Sequence, residues 1–98
     1  MNDAEINLAI AKLEYPDCDF EQGSRTAICR YSSGEIAFQR DYCKNWADIG
    51  TIIERERISV SVWGNQWKAV CPNENHHIFS ETPMKAAALC FLKMRESE

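Results

Sequence analysis

Two residues, Gly64-Asn65, constrain this chain more than any other stretch, because the segments on either side alternate with the same period. Ile58-Ser59-Val60-Ser61-Val62-Trp63 comes before them and Gln66-Trp67-Lys68-Ala69-Val70-Cys71 after. A two-residue Gly-Asn loop between alternating runs reads as a tight β-hairpin. Pairing 63 with 66 sets Val62 opposite Trp67, Val60 opposite Ala69 and Ile58 opposite Cys71, so all of these share one apolar side. Ser59, Ser61, Trp63, Gln66, Lys68 and Val70 take the other side. A slip of one residue would carry polar groups into the core, so turn and pattern support one register.

The apolar side needs a cover, and the C-terminal stretch supplies it. Thr82 can cap a helix with its side-chain oxygen, and Pro83 suits the first helical position because its missing N–H would be unpaired there. At helical spacing Met84, Ala87, Ala88, Phe91, Leu92 and Met94 form one stripe, with Lys85, Lys93 and Glu96 opposite, which predicts a helix over 83–95. Pro72 to Asn75 reads as a turn, and 76–80 as a strand leading to that helix.

Upstream, Asp3 is positioned to cap a helix over 4–14 with Ile6, Ala9, Ile10 and Leu13 on one face, stopped by Pro16. Two strands, 25–31 and 35–39, join through Ser32-Ser33-Gly34, with Gly34 in the left-handed position; this sets Ile28 opposite Phe38 and Cys29 opposite Ala37. Asn45 caps a middle helix over 45–56, with Asp48 favourable in its first turn and Trp46, Ile49, Ile52 and Ile53 on one face. Gly50 inside it costs about 1 kcal/mol relative to alanine. Glu54 to Arg57 reads as its solvated end. The expected fold is a single small α+β domain: an antiparallel sheet of about five strands, with two hairpins (25–31 with 35–39, 58–63 with 66–71) plus the strand 76–80. The middle and C-terminal helices pack on one face, over a core of Trp67, Ile58, Val60, Val62, Phe91 and Leu92.

Charge and cysteine usage narrow the function classes. A net charge of −4 over 98 residues argues against a protein that binds phosphates or anionic membranes by charge. The five cysteines, Cys18, Cys29, Cys43, Cys71 and Cys90, are odd in number and lack CxxC spacing. They read as reduced thiols of a cytoplasmic protein, three or more of them packing the core. No apolar run is long enough to span a membrane. His76 and His77 with Cys71 and Cys90 do not make a zinc site, because adjacent strand residues point to opposite faces and paired-ligand spacing is absent. No nucleophile, phosphate-loop, dinucleotide or metalloprotease motif occurs. The reading is a non-enzymatic protein with no catalytic, metal or cofactor-binding residues.

Two surfaces are candidates for partner binding. Trp63 lies opposite the apolar side of the hairpin, beside Lys68 and Val70; if no element covers that side, an aromatic flanked by a cation is the make-up of a binding hot spot. The acidic stretch with Asp17, Asp19 and Glu21 is the other. As a calcium loop starting at Asp17 it fails, with Gln22 where glycine and Ile28 where glutamate are required. It suits a solvated loop, or an acidic patch imitating nucleic-acid charge toward a host protein. From residue 45 onward the order helix, three strands, helix matches a double-stranded-RNA-binding domain, yet Lys85 alone stands where that family clusters lysines, so nucleic acid is the alternative partner. A homodimer formed through the aromatic face is a further alternative.

Several segments carry a resemblance. Asn45-Trp46-Ala47-Asp48-Ile49-Gly50, Ile53-Glu54-Arg55, Ile58-Ser59, Trp67-Lys68-Ala69 and Thr82-Pro83 before an alanine-rich helix resemble the small NinX-like proteins of lambdoid phages and enteric prophages. The chain departs from that pattern at Thr51, where the family has proline, and at Arg57, where it has glycine. The resemblance assigns no role to any position. It implies a phage or prophage accessory protein in the bacterial cytoplasm that binds a host or phage protein, such as a host-defence or DNA-metabolism factor.

Overall fold

The computed structural model describes residues 1–73 and 76–96. Its order is α1 (Asp3–Glu14), β1 (Phe20–Gln22), β2 (Ala27–Arg30), β3 (Ile36–Arg40), α2 (Trp46–Glu56), β4 (Ser59–Trp63), β5 (Gln66–Val70), β6 (His77–Ser80) and α3 (Pro83–Glu96). The α+β class holds, but the strands form two antiparallel sheets, β1-β2-β3 and β4-β5-β6, in place of one. The first sheet packs on α1 and the second on α3.

The second hairpin forms in the register that its turn dictates, with Trp63 paired to Gln66, Val62 to Trp67 and Val60 to Ala69. Gly64 has φ +63 while Asn65 stays out of the left-handed region, the arrangement of a type II′ turn. Ile58 and Cys71 fall just outside the ladder but are both buried. Val62, expected in the core, is 62% exposed. It sits beside the turn, where the hairpin tip extends beyond its cover.

In the first hairpin Gly34 takes φ +95, and the Tyr31 N–H bonds the Glu35 carbonyl across the loop at 2.8 Å, as the turn residues imply. Further along, the expected register is wrong by one: Cys29 faces Phe38 and Ile28 faces Gln39. Ala37 is an extra residue between the Arg30–Ile36 and Cys29–Phe38 pairs, a β-bulge that shifts everything beyond it. This puts Phe20, Cys29 and Phe38 on one face, where Tyr15 joins them with ring centroids 5.5 Å from Phe38 and 6.0 Å from Phe20. The strand β1 falls in a stretch expected to be loop.

Helix starts follow local chemistry. Asn2, one residue earlier than the expected Asp3, caps α1 in a capping box: the Glu5 N–H donates to Asn2 Oδ1 at 2.9 Å, and the Asn2 N–H to Glu5 Oε1 at 3.0 Å. Asp3 instead pairs with Lys85 at 3.0 Å. Asn45 caps α2, accepting the Ala47 N–H at 2.9 Å, and Thr82 Oγ1 accepts the Lys85 N–H at the start of α3.

The helix α2 ends on Arg57 at φ +56, with the Ile58 N–H reaching back to the Ile53 carbonyl. That left-handed closing position suits glycine. It is one of the two places where this chain departs from the NinX-like pattern.

The organising element is α3, which touches β4, β5, β6, α1 and α2. Ala86, Ala87 and Ala88 are all fully buried. Three consecutive helical residues span about 200° of the circumference, so cover must come from more than one side, and small side chains let it approach. The helix α2 was expected on the sheet but packs against α3, bringing Ile49 and Ile52 to a core that also holds Ile6, Ile10 and Phe91.

Glu54 to Arg57 is not simply solvated. Arg55 forms a two-pronged pair with Glu14 at 2.8 and 2.9 Å and also bonds Glu56, which accepts from Arg95 at 3.0 Å. Arg55 and Arg95 both lie over the Phe91 ring. The ends of all three helices are tied together there.

Candidate functional site: the open face of the second sheet

One side of β4-β5-β6 carries Val60, Trp67, Ala69 and Ile78 toward α3. The other carries Ser59, Ser61 and Trp63 from β4, Gln66, Lys68 and Val70 from β5, and His77 and Phe79 from β6. Neither the first hairpin nor α1 covers this side: Trp63 is 58% and Phe79 43% exposed.

The ladder brings its aromatic residues together. Lys68 Nζ stands 4.5 Å from the centre of the Trp63 ring, and Phe79 lies 6.2 Å from Trp63, tilted by 59°. A cation over an indole face of this kind is attracted by the ring quadrupole. It also restricts the rotamers of both side chains. Val70 is on the same face, half-buried, between Ser59 and His77. Trp63, Lys68 and Val70 are thus assembled as their strand positions require. Phe79 was missed, and β6 alternation was its one signal. Its register depends on the turn after Cys71, and of the turn predicted over 72–75, Glu74 and Asn75 lie outside the described residues.

The acidic residues are elsewhere. Asp17 and Asp19 are exposed between α1 and β1, while Glu21 on β1 is ion-paired with Arg30. Glu14, also in this run, is held by Arg55. The negative surface there comes down to Asp17 and Asp19, in the connection leading into the first sheet and not beside Trp63. Lys85, the one lysine in the position where a double-stranded-RNA-binding domain clusters its lysines, is engaged by Asp3, whose hydrogen bond raises its pKa.

A polar cavity of about 150 Å³ opens among Glu14, Tyr15, Arg40, Tyr42, Asp48 and Thr51. Arg40 donates to the Tyr15 hydroxyl at 3.2 Å and stacks on Phe38 at 4.6 Å, and Asp48 accepts the Asp41 N–H at 2.8 Å. Glu14 is taken up by Arg55, and Thr51 Oγ1 donates to the Ala47 carbonyl. Burial, and then Tyr15, raises the Tyr42 hydroxyl, which keeps it protonated at neutral pH. Burial likewise lifts Cys43 to about 12 and Cys90 to about 11, which keeps both as unreactive thiols. Among the described residues no helix is long and apolar enough to cross a membrane.

Fold and surface together define a small α+β domain that leaves one face of a three-stranded sheet open around an aromatic pair. A family profile described as Bacteriophage P22, NinX matches residues 1–95, so the resemblance seen in the second half extends over nearly the whole chain. The chain belongs to that phage NinX family. Comparison with curated proteins and with solved structures finds no match.

Proposed function

We propose that this chain is a non-enzymatic phage accessory protein that acts in the host cytoplasm by binding a host or phage protein and modulating it. A host-defence or DNA-metabolism factor is the partner class. The observation that carries the reading is the open face of β4-β5-β6. Two large aromatics stay exposed there, with a lysine fixed against one of them, on a surface that also carries Ser59, Ser61, Gln66, Val70 and His77. Binding energy concentrates in such anchors, and a neutral polar rim lets a partner exclude water around them.

Affinity capture from host and infected-cell lysates, run side by side with Trp63→Ala, tests it. The reading expects a protein retained by the parent and lost by the variant, with the two chains melting at the same temperature. Retention of the same set by both would contradict it. The α2-β4-β5-β6-α3 order favours nucleic-acid binding as the second reading. A mobility shift with duplex RNA at low salt that fades as salt rises would support that alternative instead.

A further inference from the structure

We infer that β4 is a self-pairing edge, and that two copies of this chain join β4 to β4 in antiparallel fashion to make one continuous six-stranded sheet. This goes beyond the proposed partner binding, because it uses the edge of the sheet and not its open face.

The argument begins with hydrogen-bond parity. Trp63 and Gln66 close a two-residue loop and so exchange both backbone hydrogen bonds; the bonds then alternate, making Ser61–Lys68 and Ser59–Val70 bonded pairs as well. Val60 and Val62 therefore turn their N–H and C=O groups away from β5. β4 is an outer strand, so these groups face the open edge.

Natural sheets blunt such edges with charge, proline, bulges or shortness. The other described edges show these devices. β1 has three residues and carries Glu21, β3 is bulged and ends on Arg40, and β6 has four residues and begins at His77. β4 is Ser-Val-Ser-Val-Trp, uncharged, in unbroken register and largely exposed.

A second copy is the occupant because the strand is its own complement. An antiparallel two-fold centred on Ser61 sets Val60 opposite Val62 of the other copy, twice, and Ser59 opposite Trp63. Val60 and Val62 are the residues with outward backbone groups, so this register gives about four N–H···O bonds. Centres at Val60 or Val62 would instead draw on Ile58, whose N–H already bonds Ile53, or on the turn glycine. Opposed residues in an antiparallel pair share a face, so both α3 helices lie on one side of the joined sheet and both Trp63 side chains on the other. The register also accounts for Val62, which has the pattern of a core residue yet is exposed in the single chain. In the pair it packs against Val60 of the other copy. Although each chain carries −4, no charge lies on the paired strands.

A five-residue strand pair is a small interface, so self-association should be weak, with a Kd of about 10 µM to 1 mM. Sedimentation equilibrium of the purified chain over that range tests the inference. Ser61→Glu keeps a cross-strand partner in Lys68 within one chain but meets itself at the two-fold axis, and should weaken the dimer by about tenfold or more without lowering the melting temperature. Ser61→Cys gives an independent reading. Its two copies would form a non-bonded pair with Cα atoms about 4.5 Å apart, close enough for a disulfide, so mild oxidation should cross-link it beyond the wild-type background. A chain that stays monomeric throughout, or a dimer that Ser61→Glu leaves intact and Ser61→Cys does not cross-link, would overturn the inference.

Discussion

Replacing Asn7 with leucine is the most severe test of how this fold is held. Asn7 is fully buried on α1, the one buried polar side chain recorded among the described residues. Its Oδ1 accepts the Tyr42 N–H at 2.6 Å and the Cys43 N–H at 3.3 Å, and its Nδ2 donates to the Arg25 carbonyl at 2.6 Å and to Asp41 Oδ1 at 3.1 Å. One side chain thus pins the start of β2 and the segment after β3 to α1. Leucine has the same branched heavy-atom skeleton and somewhat more bulk, so the loss is not a cavity but two stranded buried amides. At about 1–3 kcal/mol for each unsatisfied group the total is about 2–6 kcal/mol. The Arg25 carbonyl belongs to an exposed residue, so it can turn to water and should add little. A domain of this length has about 5–15 kcal/mol in all, so the variant should lose a large share of its stability. Urea unfolding followed by tryptophan fluorescence would read this as a lower midpoint at unchanged slope, by about 2 M or more for a slope near 1 kcal/mol/M. A midpoint within about 0.5 M of the parent would refute the reasoning.

Other outcomes follow from the same structure. Gly50→Ala should stabilise the chain by about 0.5–1 kcal/mol, because a Cβ there meets nothing within 4 Å and alanine favours the helix; thermal melting would show it. Arg57→Gly should add about 1 kcal/mol by relieving the left-handed φ, and a lower melting point would count against that reading of the α2 terminus. Phe91→Ala removes a fully buried ring and should cost about 3–5 kcal/mol, measured by urea unfolding. The thiols give a pH dependence. Burial holds Cys43 at about 12 and Cys90 at about 11 against an ordinary 9.0, so the folded chain retains protons that the unfolded chain releases. Their contribution is therefore full below about pH 9 and is lost as pH rises through 11 and 12. Melting scans between pH 8 and 11 should show the decline, and at pH 8 thiol labelling of the native chain should reach Cys18 and Cys29 before the three buried cysteines.

Short-range chemistry was legible and long-range partnership was not. Gly64-Asn65 with its flanking alternation set the β4–β5 register, and Thr82-Pro83 and Asn45 marked the starts of α3 and α2. Whether the first hairpin continues the second sheet depends on a pairing across α2 that no local pattern encodes, and the chain makes two sheets. The β-bulge at Ala37 escaped because hairpin loop residues fix the register only next to the loop. β1 spans three residues inside an acidic run, too few for alternation to be seen. Asn7 was passed over because its role comes from backbone groups far along the chain, although its place one turn from Ala4 and Ala11 marks it as inward-facing. For the candidate surface, the faces of Trp63, Lys68 and Val70 could be read from their strand positions. Their exposure could not, because it depends on which elements fail to cover them.

The claim that the uncovered side of the second sheet is where this protein meets its partner can be tested directly by site-specific photo-cross-linking in infected cells. A photoreactive phenylalanine analogue would replace Phe79 in one chain and Ile36, an exposed residue of the first sheet, in another. The account predicts a discrete protein adduct from position 79 and none from position 36. Adducts from position 36 alone, or the same adducts from both, would contradict it.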